Sequence, residues 1–414
     1  MKVVAATTVA PMAETGSLLK GLECRACCTT LDADRPVGIC PTCGHTLFAT
    51  YDLDRGRTTR ILERFRERPA TLWRYLELLP VRDTSHIVTL GEGGTPILRL
   101  AEVPEAPRAE IWLKDDGQMP TGSFKARGMA VAVSRARELG LQSLYVPSAG
   151  NAGLALAAYG ARAGLPVRVY LPETTAPELL RVCRAYGAEV VVVPGTIREA
   201  GELARARERS SGGFDMSTLR EPYRVEGKKT MGLEVFDQFV TGGMPDAIVY
   251  PTGGGTGLVG MHKAFQELIR LGALEKEPRL IAVQMEGCAP VVRALREQAP
   301  SVRAWESPHT IAPGLLVPAP FSSERILEAI RDTHGEGVTV SDEALPDAME
   351  QLARRHGVSA SPEGAAVYAA LPALLHDKRI REGERVLLYN TGSGASWDVK
   401  ALRAALEARP RAPS

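Results

Sequence analysis

The chain has no run of 18 or more apolar residues, so nothing in it reads as a membrane-spanning helix. Nor does it carry an excess of either charge. Lys and Arg number 50, Asp and Glu 49, and the net charge is +1. That balance excludes a general electrostatic role on nucleic acid or a membrane surface. Met1 to Ala13 is mildly apolar but lacks the Leu-rich core of a signal peptide, so a cytoplasmic location is expected. No internal repeat of fixed period and no low-complexity tract occurs. Walker A, G-x-S-x-G and H-E-x-x-H patterns are missing too, which takes the usual support from those enzyme classes. Hydrophobic residues make up 44% and charged residues 24%, so large-scale disorder is excluded.

At about 150 residues per domain, 414 residues suggest two or three domains. Residues 1–20 read as a flexible tail. Residues 21–55 are short, rich in turns and rich in cysteine. Residues 57–80 show helical spacing at Leu62, Phe65, Leu72 and Leu76, and a Gly-rich turn, Gly91 to Pro96, follows. From about 110 the pattern alternates. Apolar runs at Leu144–Val146, Val167–Leu171, Val190–Val193, Ala247–Tyr250, Leu280–Val283, Val338–Val340 and Val386–Leu388 are separated by Ala- and Leu-rich helical stretches. The expected fold is α/β, with parallel sheets covered by helices. Ser341, before Asp342 and Glu343, is the expected N-cap of a late helix.

Four segments carry chemistry. The first is Pro120 to Gly128, which places Lys125 in or just before a first helical turn. The positive end of a helix dipole disfavours a cation there and favours the neutral amine that a Schiff base needs. A solvated lysine in a turn is the plain alternative. The second is Ser148-Ala149-Gly150-Asn151-Ala152-Gly153, after one strand and opening a helix. Its backbone amides suit an anion such as a carboxylate, and Asn151 can both donate and accept. The third is Pro251-Thr252-Gly253-Gly254-Gly255-Thr256-Gly257, an anion nest suited to a phosphate. Gly255, Gly257 and Gly260 also fit a dinucleotide fingerprint with Glu286 after the next strand, so a nicotinamide enzyme is the rival reading of that segment. The fourth is Asn390-Thr391-Gly392-Ser393-Gly394, with two hydroxyls at a strand end.

Together with Arg224-Val225-Glu226-Gly227-Lys228-Lys229-Thr230, these segments resemble the fold-type-II family of pyridoxal-phosphate enzymes, and within it the threonine synthases. The resemblance covers about residues 85–395. It implies two parallel-sheet α/β domains over 56–410, with a smaller mobile subdomain at about 130–235, and a homodimeric lyase acting on a small amino-acid substrate. It further implies that Lys125 holds pyridoxal 5'-phosphate as a Schiff base and that Asn151 meets the ring oxygen. Gly253, Gly254, Gly255, Thr256 and Gly257 would hold the cofactor phosphate, and Thr391 or Ser393 would face the ring nitrogen. Ser148, Ala149, Gly150 and Asn151 would frame the substrate. Arg224, Lys228 and Lys229 are candidates for a substrate phosphate, with a solvated basic turn as the alternative. The implied reaction turns O-phospho-L-homoserine and water into L-threonine and phosphate.

Cys24-x-x-Cys27 and Cys40-x-x-Cys43, 12 residues apart, suit a tetrahedral zinc ion in a small ribbon. A segment this short holds no core unaided, so the metal would supply folding energy. Disulfides or an emptied relic are the alternatives. Cys28 is a spare thiol, and Cys183 and Cys288 are expected to be buried. Three features depart from the resemblance: Ala126 after the lysine, Leu316 where relatives often carry Arg, and the ending Ala395-Ser396-Trp397. They leave open a threonine or serine dehydratase, or a β-replacement enzyme such as a cysteate synthase. A non-catalytic zinc-ribbon protein with a relic domain is the third reading.

Overall fold

The computed structural model describes residues 16–408 apart from 102, 105–108, 149, 240 and 241. Most of the tail expected over 1–20, and Ala149, therefore lie outside the described residues. Leu18 and Leu19 are already buried, so ordered chain begins before residue 21.

Strand β1 (Leu19–Cys24) pairs antiparallel with β2 (Thr30–Leu31) and with β3 (Leu47–Tyr51), giving the order β2-β1-β3. The register sets Cys24 opposite Leu47, which brings the two Cys-x-x-Cys turns together. The helical stretch expected over 57–80 is broken into Leu53–Thr58, Ile61–Glu67 and a 3-10 turn at Leu72–Leu78. Arg60, in the left-handed region at φ +54°, interrupts the first two.

Strands β4 (Ile97–Arg99) and β5 (Glu110–Asp115) open the larger sheet. The chain then builds a smaller parallel sheet from β6 (Leu144–Pro147), β7 (Val167–Pro172), β8 (Glu189–Val193) and β9 (Phe214–Asp215), in the order β8-β7-β6-β9. It returns with β10 (Ala247–Pro251), β11 (Arg279–Met285), β12 (Glu336–Val340) and β13 (Arg385–Asn390). The larger sheet runs β12-β11-β10-β13-β5-β4, parallel throughout except for β4. Every apolar run read from the sequence lies in one of these strands. β10 is buried along its whole length, as a sheet covered on both faces requires. Because the strands are parallel, the loops after β5, β10 and β13 leave from one edge of the sheet, and the site is built there.

Three helices, Lys125–Glu138, Tyr223–Gln238 and Thr256–Arg270, pack closely over this edge. Glycine sets the approach. A Cβ on Gly227 would lie 2.1 Å from the Arg127 carbonyl oxygen, and one on Gly260 would lie 2.8 Å from the Lys228 backbone. Two glycines inside Tyr223–Gln238 hide it from propensity arguments, and the alternative of a solvated basic turn gives way to a helix of 16 residues. The helix expected to start at Ser341 instead runs from Ala344 to His356, with Glu343 at its cap. Asp342 is occupied elsewhere, accepting from the Thr310 hydroxyl at 2.5 Å and the Ile311 amide at 3.1 Å. Among the described residues no helix is long and apolar enough to cross a membrane.

Candidate active site

Lys125 is the first residue of its helix, with Phe124 at the cap. The preceding turn is stitched to the loop after β13. The Phe124 amide donates to the Thr391 carbonyl at 3.0 Å, and the Ser393 amide donates to the Gly122 carbonyl at 2.8 Å. Burial first, and then the Arg224 guanidinium, pull the Lys125 amine down to about 7, while the Glu363 carboxylate opposes them. Near neutral pH a large share of this amine is therefore unprotonated. Thr121 takes the left-handed region at φ +64°, and the buried Thr121 and Ser123 hydroxyl oxygens have no hydrogen-bond partner among the described residues.

The lysine helix is locked from behind by buried ions. The Arg127 guanidinium spans two carboxylates: Nε and Nη2 donate to Asp116 at 2.7 and 2.8 Å, and Nη1 and Nη2 donate to Glu234 at 2.6 and 2.8 Å. Lys114 on β5 donates to Glu234 at 2.8 Å. Arg127 and its two carboxylates are buried. The guanidinium fork fixes the orientation of the turn that bears Lys125, two residues away.

The glycine loop leaves β10 at Pro251 and enters Thr256–Arg270 through Gly255, whose φ is +65°. A Cβ on Gly255 would lie 2.4 Å from Ile326, and one on Gly257 would lie 2.1 Å from the Tyr250 hydroxyl. Only glycine fits either position without displacing Ile326 or Tyr250. Gly254 faces the Thr218 methyl. Gly260, the last glycine of the rival fingerprint, is a helix-packing position.

Gly150, at φ +150°, caps the helix Asn151–Ala163, which packs against the Pro120–Gly122 turn. The Ser148 hydroxyl accepts from the Gly150 amide at 3.1 Å and the Gly153 amide at 2.9 Å. Those two donors, expected from the sequence to be free for an anion, are already taken. Asn151 begins the helix beside them.

Arg224 and Lys228, one turn apart on Tyr223–Gln238, are both buried. The Arg224 Nη1 donates to the Met216 carbonyl at 2.5 Å, and its Nε has no partner among the described residues. The Lys228 ammonium donates to the Phe124 carbonyl. Lys125 and Lys228 lie 4.2 and 4.1 Å from the centre of the Phe124 ring. Neither Arg224 nor Lys228 has an ion-pair partner among the described residues, whereas the buried Lys114, Arg127 and Lys263 all do. Burial foremost, with the Lys125 and Arg224 charges, holds Lys228 well below the ordinary ammonium range. Lys229, grouped with these two by the sequence, is turned away from them. Its ammonium sits 2.8 Å from Glu226 and 2.8 Å from Glu267.

Sequence reasoning missed Glu363 and Glu221. Glu363 accepts from the Gly314 amide at 2.8 Å and faces Lys125 electrostatically. Its signal was Ser361-Pro362-Glu363, an N-cap, a Pro at N1 and an acid in the first turn. Glu221 accepts from the Tyr223 and Arg224 amides at 2.7 and 3.1 Å, and burial raises it to about 7.

The four ribbon thiols of Cys24, Cys27, Cys40 and Cys43 lie within 4.8 Å of one another. Two of the separations, Cys24–Cys43 and Cys27–Cys40, are 3.4 and 3.6 Å. Tetrahedral thiolates about 2.3 Å from zinc stand roughly 3.8 Å apart, so the set fits the ion. Hydrogen bonds with Thr29 pull the Cys27 thiol down to about 6, toward the thiolate that a metal binds. Cys28 is exposed, and Cys183 and Cys288 are buried.

Residues 88–392 match the family described as pyridoxal-phosphate dependent enzyme. The chain is 35% identical to the threonine synthase of Methanocaldococcus jannaschii, over 93% of this chain and 95% of that one. It is 34% identical to the threonine synthase of Methanosarcina acetivorans, over 90% and 91%. Among solved structures, the threonine deaminase of T.th. superposes with a TM-score of 0.61 at 28% identity, covering 73% of this chain and 94% of that one. Maize serine racemase superposes with a TM-score of 0.65 at 19% identity, over 76% and 91%, a likeness of fold. These matches set aside the nicotinamide reading of the glycine loop. The chain belongs to the pyridoxal-phosphate-dependent enzymes, and within them to the threonine synthase family of lyases.

Proposed function

We propose that this enzyme converts O-phospho-L-homoserine and water into L-threonine and phosphate. The observation that carries this reading is the pair of buried basic side chains, Arg224 and Lys228, beside Lys125. Among the described residues neither forms an ion pair with a carboxylate, although Glu221 and Asp215 favour the Arg224 charge electrostatically. Charging a buried basic group with no ion-paired carboxylate is costly, and an incoming phosphate relieves that cost. It also draws Lys228 back to its charged form, which couples phosphate binding to proton uptake.

The residues present fit pyridoxal 5'-phosphate. The loop Gly253 to Gly257 runs from β10 into a helix N-terminus, and the hydroxyls of Thr121 and Ser123 are buried with no hydrogen-bond partner among the described residues. Lys125 would hold the group covalently, the amides of Gly253 to Gly257 its phosphate, Asn151 its ring oxygen, and Thr391 or Ser393 its ring nitrogen. When bound, the cofactor supplies an electron sink for the substrate's α-carbon. The chain's own contributions are distinct from that chemistry. Lys125 Nζ, with a proton affinity near neutrality, takes and returns protons at the substrate carbons. Arg224 and Lys228 hold the phosphate and set which carbon faces the lysine. Glu363, pinned to the Gly314 amide, faces that amine electrostatically and opposes the effect of Arg224. The ribbon thiols of Cys24, Cys27, Cys40 and Cys43 would hold a structural zinc ion.

A second reading, dehydration of threonine or serine, is favoured by Leu316. This residue follows the turn Pro313–Leu315, whose Gly314 carbonyl lies against Gly253, and it brings no cation to the loop. Arg224→Met separates the two readings. Under the proposal it lowers kcat/KM for the phosphorylated substrate at least tenfold and leaves the cofactor's visible band in place, as loss of a charged hydrogen bond of about 1.5–3 kcal/mol requires. Unchanged phosphate release by that variant would sink the proposal.

A further inference from the structure

The cysteine ribbon touches the helix Tyr223–Gln238 in a way that the reaction scheme leaves unused. The Thr46 hydroxyl, three residues past Cys43, donates to the Leu219 carbonyl at 2.7 Å. Leu219 sits at φ +59°, just before that helix and next to Thr218, which covers Gly254. The ribbon's Ala33 carbonyl accepts from the Tyr223 hydroxyl at 3.1 Å. At the next turn the Tyr51 hydroxyl, at the end of β3, donates to Glu226 Oε2 at 2.9 Å. The ammonium groups of Lys229 and Lys263 lie 3.9 and 4.7 Å from the centre of the Tyr51 ring. Thr46, Tyr51, Tyr223 and Glu226 are all buried.

The contacts at Tyr223 and Glu226 grip one face of the first turns, and the one at Leu219 holds the chain entering them. At about 100° per residue, Tyr223 and Glu226 lie roughly 150° round the helix from Arg224 and Lys228. The ribbon therefore holds the back of the element whose front carries Arg224 and Lys228, neither of them ion-paired among the described residues. We propose that the ribbon is the positioning device of the anion site, with Thr46 and Tyr51 as positioning residues. It fixes the rotation and start of the helix so that Arg224 and Lys228 face Lys125. This inference rests on the phosphate-site reading above.

The test titrates inorganic phosphate into wild-type, Thr46→Val and Tyr51→Phe holoenzymes by calorimetry. In parallel it measures KM and kcat with O-phospho-L-homoserine. Each variant is expected to bind phosphate about fivefold more weakly, the scale of one hydrogen bond, and to raise KM by a similar factor. The kcat and the cofactor's visible band are expected to hold. Thr46→Ser, which keeps the hydroxyl, is expected to restore phosphate affinity. Should Tyr51→Phe fail to fold, the two Thr46 variants carry the comparison. Phosphate affinities equal to wild type overturn the proposal, as does an equal fall in kcat and cofactor content with KM unchanged. A wild-type enzyme that binds no phosphate overturns the phosphate-site reading, and this proposal with it.

Discussion

Lys125 is held between opposing charges, and that gives its chemistry a sign. Burial and Arg224 lower its proton affinity, and Glu363 raises it. Below about pH 7 the amine is protonated and cannot attack an aldehyde, so cofactor uptake by the apoenzyme should speed up through about pH 7 and level off above it. Arg224→Met removes a cation and should move that midpoint upward. Glu363→Gln removes an anion and should move it downward. Stopped-flow absorbance across pH reads both, and midpoints that do not move would contradict the assignment. Lys125→Ala should abolish the visible band and turnover together. The neighbourhood of Lys125 was legible in the sequence because it is local: one turn entering one helix. Glu363 was not, because its reach to Lys125 depends on the strap through Gly314 and on the position of β13.

Among the elements, the strands were legible and some helices were not. Runs such as Ala247–Tyr250 are apolar throughout because both faces of the sheet are covered. The helix Tyr223–Gln238 was hidden by Gly227 and Gly232, which propensity penalises and tight helix packing requires. With that helix unread, no sequence argument could tell that Lys228 and Lys229 point to different places. The helix Ile197–Ser211, by contrast, carries a capping box at Thr196 and Glu199 that was open to reading. Two element-scale outcomes follow from close packing and buried charge. Gly257→Ala sets a methyl against the Tyr250 hydroxyl and should weaken cofactor binding, measured by equilibrium dialysis. Arg127→Met leaves Asp116 and Glu234 without their shared partner and should cost about 3–5 kcal/mol of stability, read from urea midpoints. A loss below about 1 kcal/mol would show that the carboxylates find other partners.

At the scale of the whole molecule, two sheets and a cysteine ribbon converge on one sheet edge. The Cys-x-x-Cys spacing announced the ribbon, but not what it touches. Tyr51 and Glu226 are 175 residues apart in the chain, a pairing no local pattern encodes. Freshly reduced protein should carry about one zinc per chain, and Cys40→Ser should lose it. Elemental analysis decides, and metal-free wild-type protein would remove the site. We propose that Arg224 and Lys228, beside Lys125, receive a substrate's phosphate. The most direct measurement quantifies phosphate, threonine and 2-oxo acid in one reaction of the cofactor-loaded enzyme, offered O-phospho-L-homoserine, threonine or serine. Phosphate and threonine are expected in equal amounts from the first substrate, and no 2-oxo acid from the other two. Oxo acid from threonine or serine, with no phosphate released from O-phospho-L-homoserine, would contradict the proposal.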